Sequence, residues 1–275
     1  MLQQVLSYKI IKSPRVKLSG FFCYNESMKN VKLTISYDGT KYFGWEHQPN
    51  TDMTIQGKLE NVVNKMVDAK ECVEIIGAGR TDAGVHARAF VCNMFIDTEM
   101  NEQEIKVYLN KYLPEDISVD KVSFAADRFH SRYKATGKTY CYTLAYGDEK
   151  PVFDRKYVWY LDEKPDLNAM KRAAELLTGE HDFASFCSNP KMKKSTVRLV
   201  DKIVIREKDQ RIYLTFHGTG FLQHMVRILT GTLVEVGLNK RDPESMPELL
   251  EARDRKLAGV TAPAQGLCLL KVDYS

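Results

Sequence analysis

The residues best suited to chemistry lie in one stretch rich in turn formers, Gly77-Ala78-Gly79-Arg80-Thr81-Asp82-Ala83-Gly84-Val85-His86-Ala87. Glycine permits close backbone approach, and Thr81 and Asp82 can bond to their own backbone, so a structural turn is the default interpretation. The stretch contains neither G-x-G-x-x-G nor a terminal Gly-Lys-Ser/Thr, so a phosphate-binding loop is not indicated. A metal-dependent hydrolase would need clustered carboxylates, and this loop offers only Asp82. A single histidine such as His86, without a second metal ligand, is more often a hydrogen-bonded structural group, so we do not expect it to be catalytic.

The composition is that of an ordinary globular protein. The chain has 275 residues, 44% of them hydrophobic and 28% charged, which suits one large domain or two modest ones. Its 6 cysteines are scattered, with no C-x-x-C pair and no histidine at metal-ligand spacing, so we expect neither a metal site nor a disulfide framework. No segment approaches the roughly 20 apolar residues that span a bilayer, so we expect no membrane association. The scattered cysteines suit small buried thiols in a reducing compartment, so the expected location is cytoplasmic.

The net charge of +4 is only mildly basic, but positive residues are locally clustered. The first cluster contains Arg128, His130, Arg132, Lys134 and Lys138, and the second contains Lys191, Lys193, Lys194 and Arg198. Each cluster could be a solvated face of the protein. Because the two clusters flank a candidate active-site strand, they favour a track for a phosphate backbone.

Patterns in the first half of the chain predict the element order β-α-β-β-α-β. Strands are predicted at 31–37, 72–77, 89–96 and 117–124, with a helix that begins at Thr54 and another at 102–112. This order is typical of the split βαβ, ferredoxin-like unit, which carries both helices on one face of an antiparallel sheet.

A similar series recurs after residue 130. Strands are predicted near 138–146, 155–161, 198–206, 211–217 and 267–273, and helices near 167–178, 221–237 and 244–254. We therefore predict an α/β fold of the α+β type, in which two ferredoxin-like units form one continuous, mainly antiparallel sheet. We expect the helices on one face and, between the halves, a cleft that suits an extended polyanion such as RNA.

The predicted units are residues 29–127 and 134–275, preceded by an N-terminal extension at residues 1–28. That extension is expected either to be absent from the native product, with Met28 as the true start instead of Met1, or to be poorly ordered.

Seven segments in matching order resemble one protein family. GRTDAGVHA (79–87) resembles the signature loop of the TruA family of tRNA pseudouridine synthases at nine consecutive positions. The other segments are YDGTKYFGW (37–45), the helix start at Gln56, KTYCY (138–142), GEHDFASF (179–186), GFLQHMVR (220–227) and TAPAQGL (261–267). Together they span about residues 30 to 273. The resemblance implies conversion of uridine to pseudouridine in the anticodon stem-loop of tRNA, at nucleotide positions 38, 39 and 40.

The resemblance also implies roles for particular residues. Asp82 would be the catalytic nucleophile, attacking either C1′ or C6 of a flipped uridine without a metal, redox agent or other cofactor. Arg227 would form an ion pair with it, and Tyr140 would stack on the uracil and could take part in proton transfer at C5. Arg80, Leu267 and Lys138 would bind the substrate. The family further implies tRNA as the partner and a homodimer. Taken alone, Arg227 would be read as a surface residue, and Tyr140 and Leu267 as core residues.

Three residues depart from the family pattern. Glu46 and His47 replace a polar and basic pair in a loop expected to face RNA, and Phe90 stands where the family commonly has glutamine. These departures leave open a paralogue with a different RNA target. A non-catalytic RNA-binding module is the other alternative, although it has no need for an ionised carboxylate beside phosphates.

Overall fold

The computed structural model describes residues 28–189 and 192–275. Of the predicted extension at 1–28, residues 1–27, including Cys23, lie outside the described residues, and Met28 is the first residue of a strand. Lys191 of the second basic cluster does so as well.

Over the described residues the chain forms eleven strands and five α-helices, besides short 3-10 turns. The strands are β1 (Met28–Tyr37), β2 (Ile76–Gly77), β3 (His86–Asp97), β4 (Ile117–Ala125), β5 (Ala135–Tyr146), β6 (Trp159–Leu161), β7 (Gly179–Asp182), β8 (Val197–Val200), β9 (Lys202–Lys208), β10 (Arg211–Gly218) and β11 (Leu267–Tyr274). The helices are α1 (Ile55–Met66), α2 (Glu102–Tyr112), α3 (Leu167–Leu176), α4 (Met225–Gly237) and α5 (Met246–Ala252).

Nine strands form one sheet in the order β4-β1-β3-β11-β5-β10-β9, with β2 paired to β3 and β6 paired to β5. Counting β2, the first half has the order β4-β1-β3-β2, and the second half has the equivalent order β11-β5-β10-β9. Both are the strand order of a split βαβ unit. The predicted mixed α/β fold, with one large and mainly antiparallel sheet, is therefore confirmed.

The two series meet where β3 and β11 pair in parallel, His86 opposite Cys268 and Ala87 opposite Leu269. Parallel neighbours begin at the same edge of a sheet. The loop that precedes β3 and the segment that precedes β11 are therefore brought together. The division of the chain at 29–127 and 134–275 stays a prediction, because both series share this one sheet.

The core follows from the alternating pattern of the strands and the helical spacing of α1. Val31, Leu33 and Ile35 are fully buried and belong to the same apolar cluster as Ile55 and Leu59. Local signals start the helices: the Thr54 hydroxyl accepts a hydrogen bond from the Gly57 amide (3.1 Å), and Asn101 begins α2 with a capping box.

Residues 126–134 connect the two series and cover part of one face of the sheet, the face away from the Leu33 side chain. The Asn30 side chain donates to the carbonyls of Ala126 (2.9 Å) and Phe129 (3.0 Å). The Asn93 side chain donates to the Asn30 side-chain oxygen (2.9 Å) and accepts from the Ser131 amide (2.8 Å). Two buried amides thus fasten the start of the first basic cluster to the sheet.

Some predicted strands differ in length from the observed ones. The strand predicted at 72–77 is reduced to Ile76–Gly77, because the Asn64 side chain bonds the Val73 amide (2.8 Å) and diverts that backbone from a ladder. The strand predicted at 198–206 is two strands, β8 and β9. The first of them pairs with β7, an element that the sequence pattern did not indicate, in a separate two-stranded sheet.

The helix predicted from 221 begins four residues later, at Met225. Its preceding residue, His224, has a left-handed backbone (φ 59°, ψ 6°), which an α-helix cannot include. Within residues 28–189 and 192–275, no helix combines the length and apolarity needed to cross a bilayer.

Candidate active site

The signature loop between β2 and β3 is held by the residues around it. The Tyr37 and Thr81 hydroxyls are hydrogen-bonded (2.9 Å), and the Thr81 carbonyl accepts from the Trp45 amide (3.1 Å). Gly44 has φ +96°, and a Cβ there would lie 2.5 Å from the Thr81 carbonyl oxygen. The loop backbone next to Asp82 is therefore closely packed on both sides.

Asp82 lies beside Arg227 of α4, although 145 positions separate them in the chain. Arg227 Nη1 donates to Asp82 Oδ2 (3.0 Å), and its Nε donates to the Ala262 carbonyl (2.7 Å). The Asp82 and Arg227 side chains are 29% and 15% exposed. A partly buried carboxylate is thus held by a charge-assisted hydrogen bond from a guanidinium.

The segment before β11 completes the contact. A Cβ on Gly84, which has φ +79°, would lie 3.3 Å from the Ala264 Cβ. Leu267, the first residue of β11, is 5% exposed and pairs with Tyr142 of β5. The end of the signature loop, the Arg227 partner Ala262 and the start of β11 therefore lie together at one edge of the sheet.

Tyr140 lies on β5 opposite Leu269 and Phe216, and it is 9% exposed. Phe221 contacts it edge to face, with 5.4 Å between ring centroids and 89° between planes. Burial, and next the charge of Asp82, raise the pKa of the Tyr140 hydroxyl above its ordinary value. The phenol is therefore neutral at physiological pH and close enough to sense the carboxylate.

Two predicted RNA-binding cations differ in their surroundings. The Arg80 side chain is 61% exposed and forms an ion pair with Glu46, one of the three residues that depart from the family pattern. Lys138 lies against the signature loop, since its Nζ would be 2.7 Å from a Cβ on Gly79. Burial, and next the charge of Arg132, lower the pKa of Lys138 to about 8. In the described part of the chain, no group forms a hydrogen bond or ion pair with its amine.

The sequence did not indicate two residues of the site, His224 beside Asp82 and Ser188 beside His224. His224 Nε2 lies 3.5 Å from Asp82 Oδ2, and its Nδ1 lies 2.8 Å from the Ser188 hydroxyl. His224 stands three residues before Arg227 in the segment GFLQHMVR, which was the available signal. No sequence signal identifies Ser188, because only folding brings it next to His224.

His86 is engaged in structural contacts away from the Asp82 carboxylate. Its Nδ1 accepts from the Gly39 amide (3.1 Å), and its Nε2 lies 3.1 Å from the Lys156 carbonyl oxygen. Across residues 28–189 and 192–275, no three or more histidine, cysteine, aspartate or glutamate side chains are grouped to hold a metal ion.

Sheet and site together define a protein with two ferredoxin-like series and a carboxylate-bearing loop where they join. The family model described as tRNA pseudouridine synthase matches residues 33–134 and 173–275. A tRNA pseudouridine synthase A of Clostridium kluyveri is 44% identical over 247 residues, which cover 90% of this chain and all of that protein. A second protein of that name from Bacillus sp. is also 44% identical, with the same coverage.

The chain therefore belongs to the tRNA pseudouridine synthase family, which confirms the resemblance to TruA proteins and makes it an isomerase. A solved Cbf5-Nop10-Gar1 complex also aligns, at a TM-score of 0.35 and 10% identity over 87% of this chain and 49% of that chain.

Proposed function

We propose that this chain converts uridine to pseudouridine in the anticodon stem-loop of tRNA, with Asp82 as the nucleophile. The single observation that carries the proposal is the contact of Arg227 Nη1 with Asp82 Oδ2 (3.0 Å) in the loop that matches the family signature. The Arg227 guanidinium supplies both a hydrogen bond and the opposite charge that a partly buried carboxylate needs.

The reaction needs little besides an ionised carboxylate and a positioned base. The C1′–N1 bond breaks, the uracil turns, a C1′–C5 bond forms, C5 loses a proton and N1 gains one, so no net oxidation occurs. The carboxylate attacks either C1′ or C6. Because Arg227 and His224 both contact Oδ2, while Oδ1 has no hydrogen-bond partner among the described residues, Oδ1 is the oxygen free to attack.

A uridine within a stem must leave the base stack to reach Asp82, at a cost of a few kcal/mol. In this proposal Tyr140 stacks on the flipped uracil and Leu267 packs against its other face. The raised pKa of Tyr140 keeps its hydroxyl neutral. The phenol therefore accepts the C5 proton only as it passes its own proton on, and the nearby Asp82 carboxylate is the natural acceptor.

Arg80 and Lys138 are proposed to contact the RNA backbone. Lys138 lies beside the loop glycine Gly79 without a carboxylate partner among the described residues, so its charge is available to a phosphate. The Arg80–Glu46 ion pair supports the second candidate, a family member with altered RNA preference, since the glutamate competes with phosphate for the same guanidinium.

The proposal extends to a homodimer in the cytoplasm. Five cysteines of the described residues are free thiols, as suits a reducing compartment. The dimer is supported only by the family resemblance, and light scattering of the purified protein tests it directly. If the protein isomerised tRNA at full rate as a monomer, the proposed dimer would be refuted and the proposed reaction would stand.

One assay tests the chemistry. The protein is incubated with tRNA labelled with tritium at uridine C5, with and without EDTA, and label release is measured. We expect release that survives EDTA and is lost in Asp82→Asn, while Asp52→Asn, a change of an exposed carboxylate paired with Lys58, leaves it intact. Binding without release would support an RNA-binding module, and EDTA-sensitive strand scission would support a nuclease.

A further inference from the structure

We infer that His224, supported by the Ser188 hydroxyl, is a positioning residue that orients the carboxylate of Asp82 for attack. This inference rests on the proposed function, because it assigns a second group to the same nucleophile. His224 Nε2 lies 3.5 Å from Asp82 Oδ2, the oxygen that also accepts from Arg227 (3.0 Å). An imidazole in contact with the oxygen that Arg227 holds restricts the rotation of the carboxylate more than the guanidinium alone does.

The hydrogen bond from Ser188 selects the useful form of the imidazole. Ser188 Oγ lies 2.8 Å from His224 Nδ1 and 3.5 Å from the Gln223 carbonyl oxygen. When the hydroxyl proton takes the shorter contact, Nδ1 is the acceptor and the ring proton is on Nε2, facing Asp82. The Ser188 amide also donates to the Gln223 carbonyl (3.2 Å), which ties its backbone to the turn before α4. The side chain and the backbone of Ser188 therefore act on the same turn.

The backbone of His224 is unfavourable for its residue type. It has φ 59° and ψ 6°, and its side chain makes no capping hydrogen bond to α4. Glycine or asparagine adopts this left-handed conformation at lower cost than histidine does. Strained residues of this kind cluster at functional sites, where other contacts maintain them. A histidine retained here contributes something that the turn itself does not require.

The imidazole contacts Asp82 from the signature loop and Ser188 from the segment after β7, and it shares Asp82 Oδ2 with Arg227 of α4. The guanidinium provides charge neutralisation, so the imidazole is left with the geometric task of holding the carboxylate. Loss of His224 is therefore expected to slow attack without weakening tRNA binding.

Three variants separate positioning from a structural role. His224→Asn suits the left-handed backbone but its amide is too short to reach Asp82. His224→Gln reaches further, with an amide nitrogen near the position of Nε2, but suits that backbone less well. We expect His224→Asn to melt at the wild-type temperature or higher while its single-turnover rate falls about 10- to 100-fold. His224→Gln is expected to melt lower yet recover part of that rate.

Rate and stability should thus move in opposite directions between these two variants, whereas a structural role moves them together. Ser188→Ala is expected to lower the single-turnover rate several-fold with an unchanged tRNA dissociation constant. Measurements are label release from tritiated tRNA, thermal melting, and tRNA binding by fluorescence anisotropy.

A wild-type rate in His224→Asn would overturn the inference, as would a loss that parallels tRNA binding. This failure is distinct from failure of the proposed function. If Asp82→Asn retained activity, the nucleophile itself would be wrong. If only Asp82→Asn were inactive, the function would stand and His224 would have no positioning role.

Discussion

Removal of the Glu46 carboxylate should strengthen tRNA binding by freeing Arg80. Glu46→Gln keeps the size and polarity of the side chain but removes the charge that pairs with the Arg80 guanidinium. In the free protein this pair occupies a cation that the proposed function assigns to RNA. A phosphate must displace the glutamate before it can bind there, and glutamine offers no comparable competition.

The size of the effect follows from the exposure of the pair. The Arg80 and Glu46 side chains are 61% and 48% exposed, so water screens their attraction. Exposed ion pairs contribute about 0.2–1 kcal/mol, which corresponds to a dissociation constant for tRNA lower by about 1.4- to 5-fold. If Arg80 gains a full phosphate contact, the slope of log affinity against log salt should steepen by about 0.9.

The assay is fluorescence anisotropy of labelled tRNA at several salt concentrations, with a double-mutant cycle. Asp52→Asn is the matched control, because it removes one exposed carboxylate that pairs with Lys58 instead of Arg80. Arg80→Ala should weaken binding, and Glu46→Gln should have a smaller effect in that background. Equal gains in Glu46→Gln and Asp52→Asn would refute the reasoning, since the effect would then be general charge and not release of Arg80.

Three further changes test the site. In the wild type, tRNA affinity should fall by at most about tenfold between pH 7 and pH 9, because an amine of pKa about 8 is mostly neutral at pH 9. In Lys138→Arg this fall should be absent, because the guanidinium keeps its charge over that range. Tyr140→Phe should bind tRNA normally but release C5 label at least about 100-fold more slowly, as expected for loss of a proton-transfer group. Arg227→Lys should slow single turnover by about 10- to 150-fold, because one charge-assisted hydrogen bond of about 1.5–3 kcal/mol is lost when a single amine replaces Nε and Nη1.

The direction of the Lys138 effect is fixed by which form binds phosphate. The charged amine binds, and it predominates below its pKa of about 8, so affinity must fall as pH rises through that value. A rise in affinity would exclude this role. For Tyr140→Phe, a wild-type rate would leave stacking as the only role of the ring.

Arg241 provides a control for Arg227→Lys, since it also bridges a carboxylate, Glu235 (3.0 Å), and a carbonyl, Leu257 (2.8 Å), but at the far end of α4. Arg241→Lys should lower the melting temperature without slowing turnover. Equal loss of rate in both variants would mean that Arg227 acts only through stability.

Much of the fold was predictable because its signals are local. Residues close together in the sequence produce the alternation in β1, the Thr54 cap and the Asn101 capping box. The order of the main strands and helices could therefore be predicted. The failures were also local conflicts. The Asn64 side chain diverts the backbone at Val73, and the left-handed His224 delays α4, and neither is visible in hydrophobic periodicity.

By itself, the sequence determined the family, through the loop around Asp82 and the segments that contain Tyr140 and Arg227. Only the tertiary structure decided which atoms meet. The parallel pairing of β3 with β11 and the packing of α4 bring Arg227 and His224 to one oxygen of Asp82, and the same folding pairs Arg80 with Glu46. Contacts across 145 positions depend on strand register and helix placement, which spacing along a chain does not encode.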